Sequence, residues 1–124
     1  MATVRYLVAD VDAAREFYTG QLGFELVEQF GPAIAMVRYG DLTLWLAGPV
    51  ASAARPMPDG RKPEPGGWNR LVVEVEDIES RVAQLRAAGA RFRNDVVSGP
   101  GGKQILVEDP SGNPIELFEA APRR

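Results

Sequence analysis

The chain repeats one pattern of helix signals, and this repeat limits the folds that are open to it. Asp10 stands where a helix N-cap is expected, and Gly23 stands where that helix should end. Asp77 and Gly89 repeat these signals in the second half at nearly the same spacing. Few other side chains match between the halves, so the repeat is one of structural pattern. It predicts two similar modules with one helix each.

Strand-like segments surround both helix signals. They cover residues 3–9, 24–30, 33–39 and 42–48 in the first half and residues 70–76, 90–97, 103–109 and 114–120 in the second. Turn formers bound them, among them Gly40-Asp41 and residues 98–102, which we interpret as a hairpin turn. We therefore predict an α+β protein of two β-α-β-β-β modules. Module one covers residues 1–47, a linker covers 48–67 and module two covers 68–124.

The linker, residues 48–67, carries much of the proline of the chain and several of its glycines. Proline at this density cannot lie inside a helix or a central strand, so the segment is a loop. Loops of this length without regular structure are usually functional or mobile. Two interpretations stay open: the loop is a lid over a binding site, or it only connects the modules.

Composition excludes several classes of function. The chain has 124 residues, 45% of them apolar and 25% charged, as in an ordinary globular protein. Its net charge is −3 with no basic cluster, so we expect no nucleic-acid partner. Its apolar runs are too short to span a bilayer, and no signal peptide is evident, so we expect no membrane partner. With no cysteine, these features favour a cytoplasmic location.

The chain contains no histidine. This absence excludes histidine acid–base catalysis, Ser-His-Asp triads and every imidazole metal site. With cysteine also absent, any metal ion would need oxygen ligands alone.

Two segments resemble a known family. The opening "YLVADVDAAREFYTGQLGFEL" and the ending "VEDPSGNPIELFE" are similar to the corresponding motifs of the vicinal oxygen chelate superfamily, which includes glyoxalase I, bleomycin-resistance proteins and extradiol dioxygenases. The resemblance covers the whole chain except the linker. It implies two βαβββ modules whose mixed sheets curl around a cavity, often in a homodimer.

The resemblance also implies where a metal would bind. Metal-dependent members take one ligand from the first and one from the last strand of each module, typically His or Glu. The matching positions here are Thr3, Trp45, Arg70 and Glu116. One carboxylate cannot hold zinc, nickel or iron tightly, and Arg70 would put a positive charge beside the cation. We therefore expect no metal site and no cofactor.

Arg70 and Glu116 then become neighbours, and we expect them to form an ion pair in place of the metal. In one interpretation this pair only neutralises an ancestral site. In the other, Arg70 binds a carboxylate, phosphate or carbonyl oxygen of a ligand, while Glu116 orients the ligand or acts as a base.

Strand alternation indicates which other side chains face the implied cavity. Ile115 and Leu117 should pack under the helix, while Glu116 and Phe118 point the opposite way. Tryptophan on a strand is more often core than ligand-binding. The Leu neighbours of Trp45 already supply the core face, however, and Trp68 follows the linker. The predicted ligand-binding residues are Thr3, Arg5, Leu7, Arg38, Trp45, Trp68, Val72, Glu74 and Phe118.

Several functions remain open at this stage. The first is metal-independent binding of a small aromatic or anionic organic molecule, with antibiotic sequestration as one form. The second is a metal-free lyase, isomerase or cyclase that uses Glu116 or Glu74 as base and Arg70 as electrostatic stabiliser. A metal-dependent lyase or dioxygenase ranks below both, and a regulatory or structural dimer with a vestigial cavity is a further class. We expect a homodimer, since curled half-sheets leave edges that a partner could cover.

Overall fold

The computed structural model describes residues 2–122 and shows two compact units. The first contains the chain up to Gly66 together with Pro110–Gly112, and the second contains the remainder from Gly67 onward. Each unit has one helix on one sheet, which confirms the α+β fold and the repeated order predicted from the sequence. No helix among residues 2–122 is long and apolar enough to cross a membrane.

The first unit holds a four-stranded mixed sheet. Its elements are β1 (Ala2–Leu7), α1 (Val11–Gly20), β2 (Glu25–Phe30), β3 (Ile34–Tyr39) and β4 (Leu42–Ala47). The strand order is β1-β4-β3-β2, with β1 parallel to β4 and the other pairs antiparallel. The loop after β4 contains one 3-10 turn, Ser52–Ala54, and neither an α-helix nor a strand.

The second unit holds a five-stranded mixed sheet. Its elements are β5 (Leu71–Glu74), α2 (Ile78–Ala87), β6 (Arg91–Phe92), β7 (Val97–Gly99), β8 (Gly102–Glu108) and β9 (Pro114–Ala120). The order is β5-β9-β8-β6, and β7 also pairs with β8. Strand β5 runs parallel to β9, while β8 is antiparallel to its neighbours.

Both helices begin at their predicted caps, and α2 also ends where its glycine signal predicts. The Asp10 side chain accepts the Ala13 N–H at 3.1 Å, and the Asp77 side chain accepts the Ser80 N–H at 3.1 Å. At the end of α2, Gly89 has a φ of +89°, a region that side chains other than glycine rarely adopt. The N–H groups of residues 89 and 90 then bond back to carbonyls of the last helical turn, which closes it.

Apolar side chains at helical spacing form the buried face of each helix. The buried side chains of α1 and its C-terminal extension are Val11, Ala14, Phe17, Tyr18 and Leu22, and those of α2 are Ile78, Val82 and Leu85. Each helix thereby covers one face of its own sheet with apolar side chains, which is the main source of stability for a helix of ten residues.

Several predicted boundaries were wrong. Strands β1 and β5 end at Leu7 and Glu74, each two residues before the predicted end. The strand predicted for residues 90–97 is divided into the short strands β6 and β7, because the chain bends at residues 93–94. Helix α1 ends at Gly20, two residues before the predicted end. The apolar Leu22 suggested a longer helix, yet it is buried just after the helix ends.

Candidate functional site

The sheet of the second unit has one face under α2 and one open face. Cross-strand partners lie on the same face of a sheet. Val72 is paired with Glu116, and Glu116 with Leu106. Glu74 is paired with Phe118, and Phe118 with Gln104. The intervening residues Leu71, Val73, Ile105, Val107, Ile115 and Leu117 are all buried. The register therefore places Glu116 on the face away from α2, as the alternation in β9 predicts. Val72 and Glu74 are exposed on this open face, whereas Glu116 and Leu106 are themselves largely buried.

Arg70 and Glu116 form the predicted ion pair on this face. Arg70 precedes β5, and its Nε and Nη2 donate to Oε1 of Glu116 at 3.1 and 3.0 Å. Its Nη1 donates to the carbonyl oxygen of Trp68 at 3.3 Å. The Glu116 side chain is 11% exposed and that of Arg70 is 32% exposed. A nearly buried carboxylate is thus satisfied by a guanidinium that still reaches solvent.

The Arg70 guanidinium can donate further hydrogen bonds. A guanidinium carries five N–H donors, and the bonds above use three of them. The two remaining donors are available to an oxygen atom of a ligand. Both bonds to Glu116 end on Oε1, so Oε2 is not used by Arg70.

A second arginine, Arg93, contacts Gly67 and Trp68 at the start of this unit. Arg93 Nε donates to Glu108 Oε2 at 2.9 Å, and its Nη1 donates to the Gly67 carbonyl oxygen at 2.6 Å. Its guanidinium carbon lies 4.6 Å from the ring centre of Trp68. Trp68 is nevertheless 69% exposed, so one face of its ring is held while much of the ring stays open to solvent.

Sequence reasoning missed Arg93 and Glu108. Glu108 has the same parity in β8 as Leu106 and Gln104, so extending the alternation to β8 would have placed it on the open face. Arg93 lies in the bend between β6 and β7, where strand periodicity carries no information.

The first unit has an open face of its own. Its face under α1 holds the buried residues Ala35, Val37, Leu44 and Leu46. On the other face, Arg5 and Trp45 are paired in register, and the Arg5 guanidinium carbon lies 5.0 Å from the centre of the Trp45 ring. Trp45 therefore lies on the face opposite the core, as strand alternation predicts.

The other predicted residues of this unit lie on the same open face. Thr3 is paired with Thr43, and Arg38 is paired with Thr43 from the other side. Arg38 also contacts Glu25 at 3.5 Å. Leu7 is paired with Ala47 at the ends of β1 and β4.

The donor chemistry does not fit a transition-metal ion. Among residues 2–122, no group of three or more Asp, Glu, His or Cys side chains is arranged to hold one. The one carboxylate at a ligand position, Glu116, lies 3.0 Å from a guanidinium nitrogen. Two like charges 4 Å apart repel by about 4 kcal/mol at an effective dielectric of about 20. The Arg70–Glu116 pair therefore opposes a cation at this position.

Comparison with known proteins agrees with this fold. The family model described as "Glyoxalase/Bleomycin resistance protein/Dioxygenase superfamily" matches residues 1–117. The mitochondrial methylmalonyl-CoA epimerase of Bos taurus is 28% identical over 94% of this chain and 72% of its own length.

Two solved structures are similar over most of their length. A glyoxalase/bleomycin resistance protein/dioxygenase superfamily member from Sphaerobacter thermophilus has 27% identity and a TM-score of 0.75, covering 96% of this chain and 95% of that one. TnmS3, an antibiotic binding protein from a Streptomyces species, has 26% identity and a TM-score of 0.72, covering 96% and 93%. Taken with the family match, these findings show that the chain belongs to the glyoxalase/bleomycin resistance protein/dioxygenase superfamily.

Proposed function

We propose that this protein binds a small anionic or aromatic organic molecule without a metal ion, with Arg70 as the group that recognises the anion. The observation that carries this proposal is the geometry of Arg70. Glu116 and the Trp68 carbonyl oxygen orient its guanidinium. The Arg70 side chain is still 32% exposed, and two of its N–H donors remain for a ligand. An oriented guanidinium forms two parallel hydrogen bonds to a carboxylate or phosphate with little further loss of side-chain freedom.

The surroundings of Arg70 favour a ligand with a flat apolar body. Val72 is 53% exposed on the same open face, and Trp68 is 69% exposed. Phe118 is half-buried on this face, two residues from Glu116. Exposed apolar groups around a fixed charge are typical of sites for small organic ligands. TnmS3, an antibiotic binding protein, is a similar chain, so sequestration of an antibiotic is one form that this binding would take.

Trp45 and Arg5 of the first unit form a second candidate contact surface. A tryptophan ring held by a guanidinium offers a flat surface on which an aromatic ligand can stack. Thr3, Arg38 and Leu7 share this face and would contribute polar and apolar contacts.

The test is a screen of planar aromatic carboxylates, each beside its uncharged carboxamide, by thermal shift and then calorimetry. We expect a carboxylate to bind more tightly than its carboxamide. Arg70→Gln should weaken carboxylate binding by about tenfold or more, because a hydrogen bond to a charged group contributes about 1.5–3 kcal/mol. The exposed Arg91 in β6 supplies the matched control, Arg91→Gln. Unchanged carboxylate affinity in Arg70→Gln would refute the proposal.

A metal-free lyase, isomerase or cyclase is the second candidate. One observation favours it: Glu116 is nearly buried, and its Oε2 is not used by Arg70 and could accept a proton. Arg70 would then stabilise the negative charge that develops on the substrate. Glu74, exposed on the same face, is the alternative base.

Product analysis separates the two candidates. A binding protein returns its ligand unchanged, whereas an enzyme consumes it. In an enzyme, Glu116→Gln lowers turnover far more than affinity. The homodimer and the cytoplasmic location stay predictions, and a native mass spectrum of the freshly purified protein tests the subunit count.

A further inference from the structure

The loop after β4 forms a pocket within the first unit. The pocket has a volume of about 400 Å³, within the size range of sites for small organic molecules. One side consists of the ends of β1 and β4, where Leu7 and Ala47 are paired. The other side comes from the loop, chiefly from Pro56, Pro63 and Pro65. The pocket contains neither Arg70 nor Glu116, so it differs from the anion site proposed above, and it shares Leu7 with the surface around Trp45.

The walls of this pocket are apolar and rigid. Aliphatic side chains and proline rings make up most of its surface, and no aromatic residue is among those lining it. Proline has a fixed φ, so the loop loses little conformational freedom when a ligand binds. Such walls suit a flexible aliphatic body better than an aromatic ring that needs a stacking partner.

Hydrogen bonds fix the tip of the loop. The Met57 N–H donates to the Arg61 carbonyl oxygen at 2.7 Å, and the Gly60 N–H donates to the Met57 carbonyl oxygen at 2.9 Å. The Asp59 carboxylate accepts the Arg61 N–H at 3.0 Å and Arg61 Nε at 2.8 Å. The charges of Asp59 and Arg61 therefore neutralise each other at the tip.

Lys62 follows this tip, and it is the one charged residue among the described residues that line the pocket. None of the ion pairs within residues 2–122 includes it. Its neighbours Asp59 and Arg61 are already paired, and the nearby carboxylate of Glu64 does not line the pocket. Lys62 therefore supplies the positive charge at the edge of an apolar space. We propose that this pocket binds an aliphatic carboxylate, with the hydrocarbon between β1, β4 and the prolines and the carboxylate at Lys62.

The test uses octanoate and octanamide, which share a body and differ in charge. Both are titrated into the ¹⁵N-labelled protein, below the concentration at which octanoate forms micelles, and followed by amide chemical shifts. We expect octanoate to shift the amides of Leu7, Val8, Ala47 and Ala54 and to bind more tightly than octanamide.

The chain has two lysines, which gives a matched pair of variants. Lys62→Gln should weaken octanoate binding about three- to fivefold, the effect of a solvent-exposed ion pair, and leave octanamide unchanged. Lys103→Gln should change neither, because Lys103 lies in β8 of the other unit and contacts Glu79. Ala54→Phe, on the lining of the pocket, should fill it and weaken both probes.

Three results would overturn the proposal: shifts confined to amides outside the pocket, equal binding of octanoate and octanamide, or equal losses in the two lysine variants. Because Lys62→Gln changes an exposed side chain, it answers the question even if Ala54→Phe fails to fold. Arg70→Gln should leave octanoate binding intact, which keeps this test independent of the function proposed for Arg70.

Discussion

Arg70 donates two hydrogen bonds to one carboxylate oxygen of Glu116, at 3.1 Å from Nε and 3.0 Å from Nη2. The two residues are 46 positions apart in the chain, and the parallel pairing of β5 with β9 brings them together. In metal-dependent members of the superfamily, the positions that match Arg70 and Glu116 supply ligands to one metal ion. Here a fixed positive charge stands beside the carboxylate, and this replacement underlies the predictions on stability, metals and ligands.

Removing Arg70 should destabilise the protein. Glu116 is 11% exposed, so Arg70→Ala leaves a largely buried carboxylate without its ion-pair partner. We expect a loss of about 2 kcal/mol in the free energy of unfolding, below the value for a fully buried pair because Arg70 is partly exposed. Urea denaturation measures it, and Arg55→Ala, at an exposed position, should have little effect.

A double-mutant cycle isolates the pair itself. Glu116→Gln keeps the shape of the side chain and an oxygen acceptor, so we expect it to cost less than Arg70→Ala. Adding Arg70→Ala to Glu116→Gln should cost less than Arg70→Ala alone. Additive losses would show that the two residues act independently and would contradict the ion pair.

Divalent transition metals should neither bind tightly nor stabilise the protein. The residues at ligand positions include one carboxylate, and Arg70 repels a cation there. We expect no stoichiometric zinc, nickel or iron by elemental mass spectrometry of freshly purified protein. The melting temperature should be the same with and without a chelator. A stoichiometric first-row metal would contradict our account of Thr3, Trp45 and Arg70.

Arg93 should hold Trp68 in place. Its guanidinium stacks on the indole ring and also bonds to Glu108 and to the Gly67 carbonyl oxygen. In a Trp45→Phe background, where Trp68 is the one tryptophan left, Arg93→Ala should increase quenching of its fluorescence by acrylamide. The free energy of unfolding should fall by about 2 kcal/mol, since the hydrogen bonds to Glu108 and to the Gly67 carbonyl oxygen are lost together with the ring contact.

Arg93→Lys tests the shape of the group as well as its charge. Lysine keeps the positive charge but lacks the planar fork, so we expect it to restore only part of the stability. The exposed Arg91→Ala is the control for loss of a cation from β6. If the Arg91 and Arg93 variants change Trp68 quenching equally, the stacking contact has no role in holding the ring.

The hairpin between β7 and β8 should tolerate a methyl group at Gly101 and not at Gly102. A Cβ at Gly102 would collide with the Glu119 carbonyl oxygen, and its φ is +145°. A Cβ at Gly101 would meet no atom within 4 Å. We expect Gly102→Ala to cost about 3 kcal/mol and Gly101→Ala less than 1 kcal/mol in urea denaturation. Similar costs at both positions would contradict this hairpin geometry.

Local sequence determined the elements of this protein and the faces of its strands. Asp10 and Asp77 cap the helices because a short side-chain oxygen reaches an N–H three residues away, a contact that depends on neighbours alone. Ile115 and Glu116 point to opposite faces because side chains alternate along any strand. The absence of histidine excludes imidazole chemistry whatever the fold.

The tertiary structure decided which distant residues meet. Periodicity places Glu116 on an open face, but only the pairing of β5 with β9 places Arg70 beside it, and the sequence suggested that contact through family resemblance alone. Arg93 reaches Glu108 and Trp68 from a bend that no periodicity predicts. Likewise, composition identified residues 48–67 as a loop without showing that it lines a pocket together with Leu7 and Ala47. Caps and alternation depend on neighbouring residues, whereas these contacts depend on the packing of the folded chain as a whole.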